Sequence, residues 1–152
     1  MIRRVAPFGA WESNISAGDL AESVVALLDV SVDGDDVYWV ELRPSEAGRY
    51  VLMRRDGHEM IPAPLSARSL AHEYGGRCVS VAEGTIIFSR FSDQALYRIE
   101  PNGEPTRLTH ETNLRFADPC QDLARGRVIC VCEDHRGPKK EEASNSLVSV
   151  AT

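Results

Sequence analysis

DDVYWVELRPSEAGRYVLMRRDG, residues 35–57, reads as two strands and two turns. Val37, Tyr38, Trp39, Val40 and Leu42 are the β-branched and aromatic types that fit a pleated surface. Pro44 and Gly48 interrupt them, and Arg49 to Arg54 resumes with Tyr50, Val51, Leu52 and Met53 inside it. Asp56-Gly57 then offers the positive φ that a tight hairpin needs. Upstream, Val24 to Val32 leads into an Asp33-Gly34 turn and reads as the strand that precedes Val37. Helical marks lie just before it: Asp19 as a cap, Glu22 three residues later as in a capping box, and Leu20, Val24, Leu27 and Leu28 at helical spacing. The expectation is a short turn of helix over 17–22, then strand.

The same grammar returns downstream. Cys78 to Val81 alternates, Glu83-Gly84 turns, and Ile86 to Phe91 and Ala95 to Ile99 form strands closed by Asn102-Gly103 and followed by Thr106 to Thr109. A third copy starts near Phe116, turns around Arg125-Gly126, runs through Val128 to Cys132 and resumes at Leu147 to Val150. Val37, Ile86 and Val128 are 49 and 42 residues apart, and Gly57 and Gly103 are 46 apart. A period of about 40 to 50 residues with up to four short strands is that of a β-propeller blade. A plain antiparallel sandwich with evenly spaced hairpins fits the spacing too, and the residues leave both open.

The chain has 152 residues and a mass of 16.8 kDa, room for one well-buried core. Seventeen Lys and Arg against 23 Asp and Glu give a net charge of −6, which excludes a sequence-independent phosphate-binding surface, so no nucleic-acid partner is expected. Hydrophobic residues at 43% and charged residues at 26%, with a mean hydropathy of −0.25, exclude wholesale disorder. No run approaches the roughly 20 apolar residues of a membrane span. Arg3 and Arg4 are followed by Pro7, Gly9, Trp11 and Glu12 with no apolar stretch, so no secretory signal is expected. Cys78, Cys120, Cys130 and Cys132 are too few for a disulfide scaffold; reduced thiols and a cytoplasmic location are the expectation.

Three clusters are candidates for chemistry. His72, Glu73 and Tyr74, followed by Gly75-Gly76, can bind or relay a proton, or simply connect two blades. Glu133, Asp134, His135 and Arg136 follow the Val128 strand and can present both charge signs to a ligand, or form a solvated strand end. Cys130, Cys132 and His135, with Cys120 as a fourth, have the residue types zinc uses but not one of its strong spacings. The two cysteines serve equally as small apolar residues on a buried face, so no metal and no cofactor is expected. No Gly-x-Ser-x-Gly elbow and no phosphate-binding glycine loop occurs; Lys139-Lys140 falls in a polar loop, Gly137 to Ser146, read as a solvated excursion. A catalytic site complete within this chain is not expected.

Particular strings carry a family likeness: APFGAWES at 6–13 with Ile15 after it, DDVYWVELRPSEAGRYVL at 35–52, HEYGG at 72–76, FSDQALYRIEPNGEPTRLT at 91–109 and CEDHRG at 132–137. With these the chain resembles the N-terminal part of the prolyl oligopeptidase family of serine peptidases, in particular its bacterial dipeptidyl aminopeptidase and acylaminoacyl-peptidase-like branch. The resemblance implies an all-β partial propeller of about three blades, near 23–61, 74–109 and 116–151, the last incomplete. In the family a propeller filters peptides toward an α/β-hydrolase domain holding a Ser, Asp, His triad. The missing blades and that domain are the implied partners, on the same or an adjacent reading frame, and this chain has no triad of its own. The expected function is the substrate-gating propeller portion of a serine exopeptidase of dipeptidyl or acylaminoacyl type. His72, Glu73, Tyr74, Glu133 and Arg136 are the substrate-channel candidates. The alternative is a non-enzymatic β-rich interaction module or truncated gene product, able to oligomerise through its open edge.

Overall fold

The computed structural model describes residues 5–10, 13–22, 24–138 and 142–152, and its regular structure starts at α1, Ala17–Glu22. Ser16 precedes the helix and caps it. Its Oγ accepts the Asp19 N–H at 3.1 Å, and Asp19 Oδ2 accepts the Ser16 N–H at 2.8 Å. The helix stands where expected, but the capping box is Ser16 with Asp19, not Asp19 with Glu22. A cap must lie outside the first turn, where the unpaired N–H groups point, and Asp19 is already inside it.

Three antiparallel sheets follow. The first has the order β1 (Ala26–Asp33), β2 (Asp36–Arg43), β3 (Arg49–Arg54), with Glu59 adding a single bridge to Met53. The second comprises β4 (Val79–Ala82), β5 (Thr85–Ser89), β6 (Leu96–Ile99) and β7 (Thr106–Arg107) in chain order. The third has β8 (Leu114–Asp122), β9 (Arg127–Asp134) and β10 (Ser144–Ala151). The second strands β2, β5 and β9 begin at Asp36, Thr85 and Arg127, which preserves the separations of 49 and 42 residues read from the sequence.

Alternation along β5 shows how the sheets stack. Ile86 and Phe88 point into a core shared with Tyr38, Val40 and Leu52 of the first sheet. Ile87, one residue out of phase, joins Phe116, Val128, Cys130 and Cys132 of the third. The middle sheet is therefore covered on both faces, which is why its strands read as unbroken apolar runs. A sandwich would have one core between two sheets; here two cores separate three. The chain is a partial β-propeller of three blades, and its described residues close no barrel.

Polar ties repeat the same order. Asp33, at the end of β1, accepts the backbone N–H groups of Glu83 and Gly84 at 3.0 and 2.7 Å. Gln121, near the end of β8, donates to the carbonyls of Ser80 and Thr85, both at 3.1 Å. The Ser69 and Ser89 hydroxyls both donate to the Phe116 carbonyl, at 2.6 and 2.7 Å. Away from the middle sheet, the outer faces are apolar and open: Val30, Val32 and Leu147 are 61%, 68% and 77% exposed.

Several strand ends differ from the sequence reading, most of all at β10. Ser144 to Ser146 pair with Asp134, Glu133 and Cys132, so the loop after Gly137 is shorter and β10 starts before its first apolar residue. Asp118-Pro119, which looks like a break, is carried inside β8 by a bulge between Ala117 and Cys120 with Asp118 at φ 53°. Arg3, Arg4, Trp11, Glu12, Lys139 and Lys140 lie outside the described residues. Among the described residues no helix is long and apolar enough to cross a membrane.

Candidate functional site

Antiparallel register places Arg115 of β8 directly opposite Glu133 of β9. Glu133 is only 6% exposed, and a carboxylate so covered needs partners for both oxygens. It has them. Oε1 accepts the backbone N–H of His72 at 3.1 Å; Oε2 lies 2.9 Å from His135 Nε2 and 3.4 Å from Arg115 Nη1. Arg115 also donates to the Leu70 carbonyl at 2.9 Å. Burial by itself pushes the Glu133 carboxyl up, but His135, the His72 N–H and Arg115 together outweigh it and hold the group below the usual glutamate range.

The loop that reaches this carboxylate is bent by consecutive left-handed residues, His72 at φ 56° and Glu73 at φ 63°. Gly75 is also left-handed, and a Cβ there would stand 2.9 Å from the Ser69 carbonyl oxygen. Gly76 has a different reason: its missing side chain leaves room for Ala117, whose Cβ would be 2.9 Å from an added one. The HEYGG segment is thereby pressed onto β8, with the His72 and Tyr74 rings stacked at 6.0 Å and Tyr74 88% exposed.

Of the five channel candidates, the structure brings His72 and Glu133 together, through the histidine backbone and not its imidazole, and sets Tyr74 against His72. The Glu73 carboxylate has no hydrogen-bond or ion-pair partner among the described residues. Arg136 does not join the group. It is paired with Asp134, its Nη2 2.5 Å from Oδ2, and draws that carboxyl down to about 2. Arg115 escaped the sequence reading because only strand pairing brings it to a residue 18 positions away. His135 was weighed as a metal ligand, but it faces Glu133 while Cys130 and Cys132 fill the second core and Cys120 is exposed. Among the described residues no three His, Cys, Asp or Glu side chains converge as a metal ion requires.

Beside the network lies a cavity of about 320 Å³ lined by Leu70, Phe91, Asp93, Asn113, Arg115 and His135. Glu133 spends both oxygens on its neighbours, so chemically it braces the 70–76 segment against the third sheet. Glu73, Tyr74 and His135 are exposed around it.

No protein-family model and no curated protein matches the chain. Solved structures do. Puromycin hydrolase superposes with a TM-score of 0.85 at 36% identity, covering 96% of this chain and 25% of that one. A Mycobacterium tuberculosis puromycin-hydrolyzing peptidase gives 0.79 at 36% identity, covering 98% of this chain and 25% of that one. A puromycin hydrolase mutant complexed with PGG gives 0.84 at 35% identity, covering 96% and 25%. This chain spans about a quarter of the length of the solved structures it matches.

Stacked antiparallel sheets and these likenesses together define a β-propeller segment similar to one quarter of these puromycin-hydrolysing proteins. This likeness bears out the resemblance to the N-terminal propeller segment of the prolyl oligopeptidase family.

Proposed function

We propose that this chain is the substrate-gating propeller portion of a serine exopeptidase and has no catalytic activity of its own. The observation that carries the reading is 36% identity over 96% of the chain to one quarter of puromycin hydrolase. The remaining blades and an α/β-hydrolase domain are its partners, and peptides or aminoacyl compounds its substrates, in a dipeptidyl or acylaminoacyl peptidase setting. Four unpaired cysteines suit a reducing, cytoplasmic compartment. The channel side is formed by His72, Glu73, Tyr74 and Glu133. Glu73 holds a substrate amine through its unengaged carboxylate, Tyr74 covers the apolar part, and Glu133 positions the loop that carries both. Arg136, neutralised by Asp134, flanks the site.

The test is hydrolysis of puromycin and of an aminoacyl-nitroanilide. The chain alone should give no turnover, and supplying the remaining blades with the hydrolase domain should restore it. In that assembly Glu73→Gln should raise KM more than it lowers kcat. Turnover by the isolated chain, or unchanged KM in Glu73→Gln, would refute the corresponding part of the reading.

A further inference from the structure

A second cleft, between the first and second sheets, contains a guanidinium that pairs with no acid among the described residues. Arg68 lies on the segment that crosses between the two sheets. Its Cζ is 5.2 Å from the ring centroid of Tyr50, on β3, and 5.2 Å from that of Phe91, just after β5. The segment is fixed to both sheets. Tyr50 N–H donates to Ser66 Oγ at 2.9 Å, Ala67 N–H to the Tyr50 carbonyl at 3.0 Å, and Arg68 N–H to the Ser89 carbonyl at 3.0 Å.

Aromatic rings engage a guanidinium through its faces, so the N–H donors at its rim stay free. No carboxylate among the described residues takes them, whereas Arg43, Arg49, Arg90 and Arg115 each have one. Arg68 instead lines a cavity of about 420 Å³ with Glu46, Arg49, Pro64 and Ser66. A half-buried cation oriented before any ligand arrives loses little further freedom on binding. Ser66 Oγ already accepts from Tyr50, and its own proton goes to no described group, so a second donor is available.

The surrounding charge narrows the ligand. Glu46 is held by Arg43 and Arg49 at 3.0 and 2.5 Å, and Glu59 by the same two arginines at 3.1 and 2.7 Å. Those acids are occupied, yet they make the wall unfavourable for a dianion. A planar monoanion matches one unopposed guanidinium in both charge and shape.

We propose that this cleft binds a carboxylate, with Arg68 as its bidentate anchor and Ser66 as an additional donor. The site needs no group from a catalytic domain and stands whether or not the gating role holds. The experiment is a titration of the 152-residue chain, followed by NMR of the Arg68 Nε–H and the Ser66 amide. The probes are acetyl-Gly-Gly, its C-terminal amide, acetyl-glutamate amide and inorganic phosphate. Either carboxylate should give saturable shifts and the uncharged amide none; the stronger of the two carboxylates tells a chain terminus from an acidic side chain. Arg68→Met should weaken binding by about tenfold or more, with Arg68→Lys in between. Ser66→Ala, which keeps the ring stack, should weaken it less. A response strongest to phosphate, equal shifts with the amide, or an unchanged titration in a folded Arg68→Met chain would overturn the proposal.

Discussion

Arg77 Nε donates to Asp29 Oδ2 at 2.8 Å, joining residues 48 positions apart. Asp29 lies where the pairing of β1 slips, between Leu27 and Val30, and the Arg77 backbone is held in turn by Asp118 at the slip in β8. One residue at the root of the middle sheet thus touches a bulge on either side. Arg77 and Asp29 are 46% and 35% exposed, so the ion pair itself contributes little.

Arg77→Met should therefore cost less than about 1 kcal/mol. Asp33→Ala should cost more, about 1–2 kcal/mol, because it strips two backbone N–H groups of the neighbouring turn of their acceptor. Urea denaturation of both variants checks the order. A larger loss for Arg77→Met would mean that side-chain charge, not turn capping, couples these sheets.

Glycines provide a second comparison. Gly57 and Gly75 share a left-handed φ of 86° and 83°, but only Gly75 has a backbone oxygen where a Cβ would go. Gly57→Ala should cost about 1–2 kcal/mol from conformation alone. Gly75→Ala should cost about 1–3 kcal/mol beyond that from overpacking and should loosen the His72 contact to Glu133. Equal costs would show that the 72–76 loop is not pressed onto the molecule.

Acid should act through Glu133. Its folded carboxyl titrates below its ordinary 4.5, so the unfolded chain takes up the proton first as pH falls. The stabilisation is complete above about that value and disappears as pH drops through the folded one. Urea midpoints measured from pH 6 to pH 3 should decline less steeply in Glu133→Gln than in the parent chain. Parallel declines would remove Glu133 from the acid response.

Thiol reactivity offers a direct test of the packing. Cys120 is exposed, while burial pushes the Cys78 and Cys130 thiols up to about 12 and raises that of Cys132 as well. At pH 8 a disulfide reagent should modify Cys120 quickly and the other three only on unfolding. A fast second thiol would contradict the packing of the core that holds it, the first core for Cys78 and the second for Cys130 and Cys132.

Much of this architecture was legible because its strands are short, β-branched and punctuated by turns with obligatory left-handed residues, as at Gly34, Gly57 and Gly84. The 49- and 42-residue spacing was legible for the same reason, and the helix over 17–22 from its capping signals. What escaped depends on pairing between distant segments. Ser144 to Ser146 belong to a strand by register alone, having no apolar side chains to announce it. Asp118-Pro119 breaks the local strand signal, yet the Asp118 carboxylate and N–H bind Arg77, which keeps the strand going. The candidate site divides along the same line: Glu133 and the HEYGG loop stand out locally, while Arg115 becomes relevant only once β8 lies beside β9. Arg136 looked available because its neighbour Asp134 was read as part of a cluster, not as its partner.

The packing between blades runs from the first sheet to the second and from the second to the third, through Asp33, Ser69, Ser89 and Gln121. Each sheet consequently finds its docking surface in chain that has already been synthesised. During translation, the Tyr38 and Leu52 face is complete before Phe88 leaves the ribosome, and the Ile87 face before Val128 does. Assembly can proceed vectorially, one sheet settling on the last at the pace of synthesis.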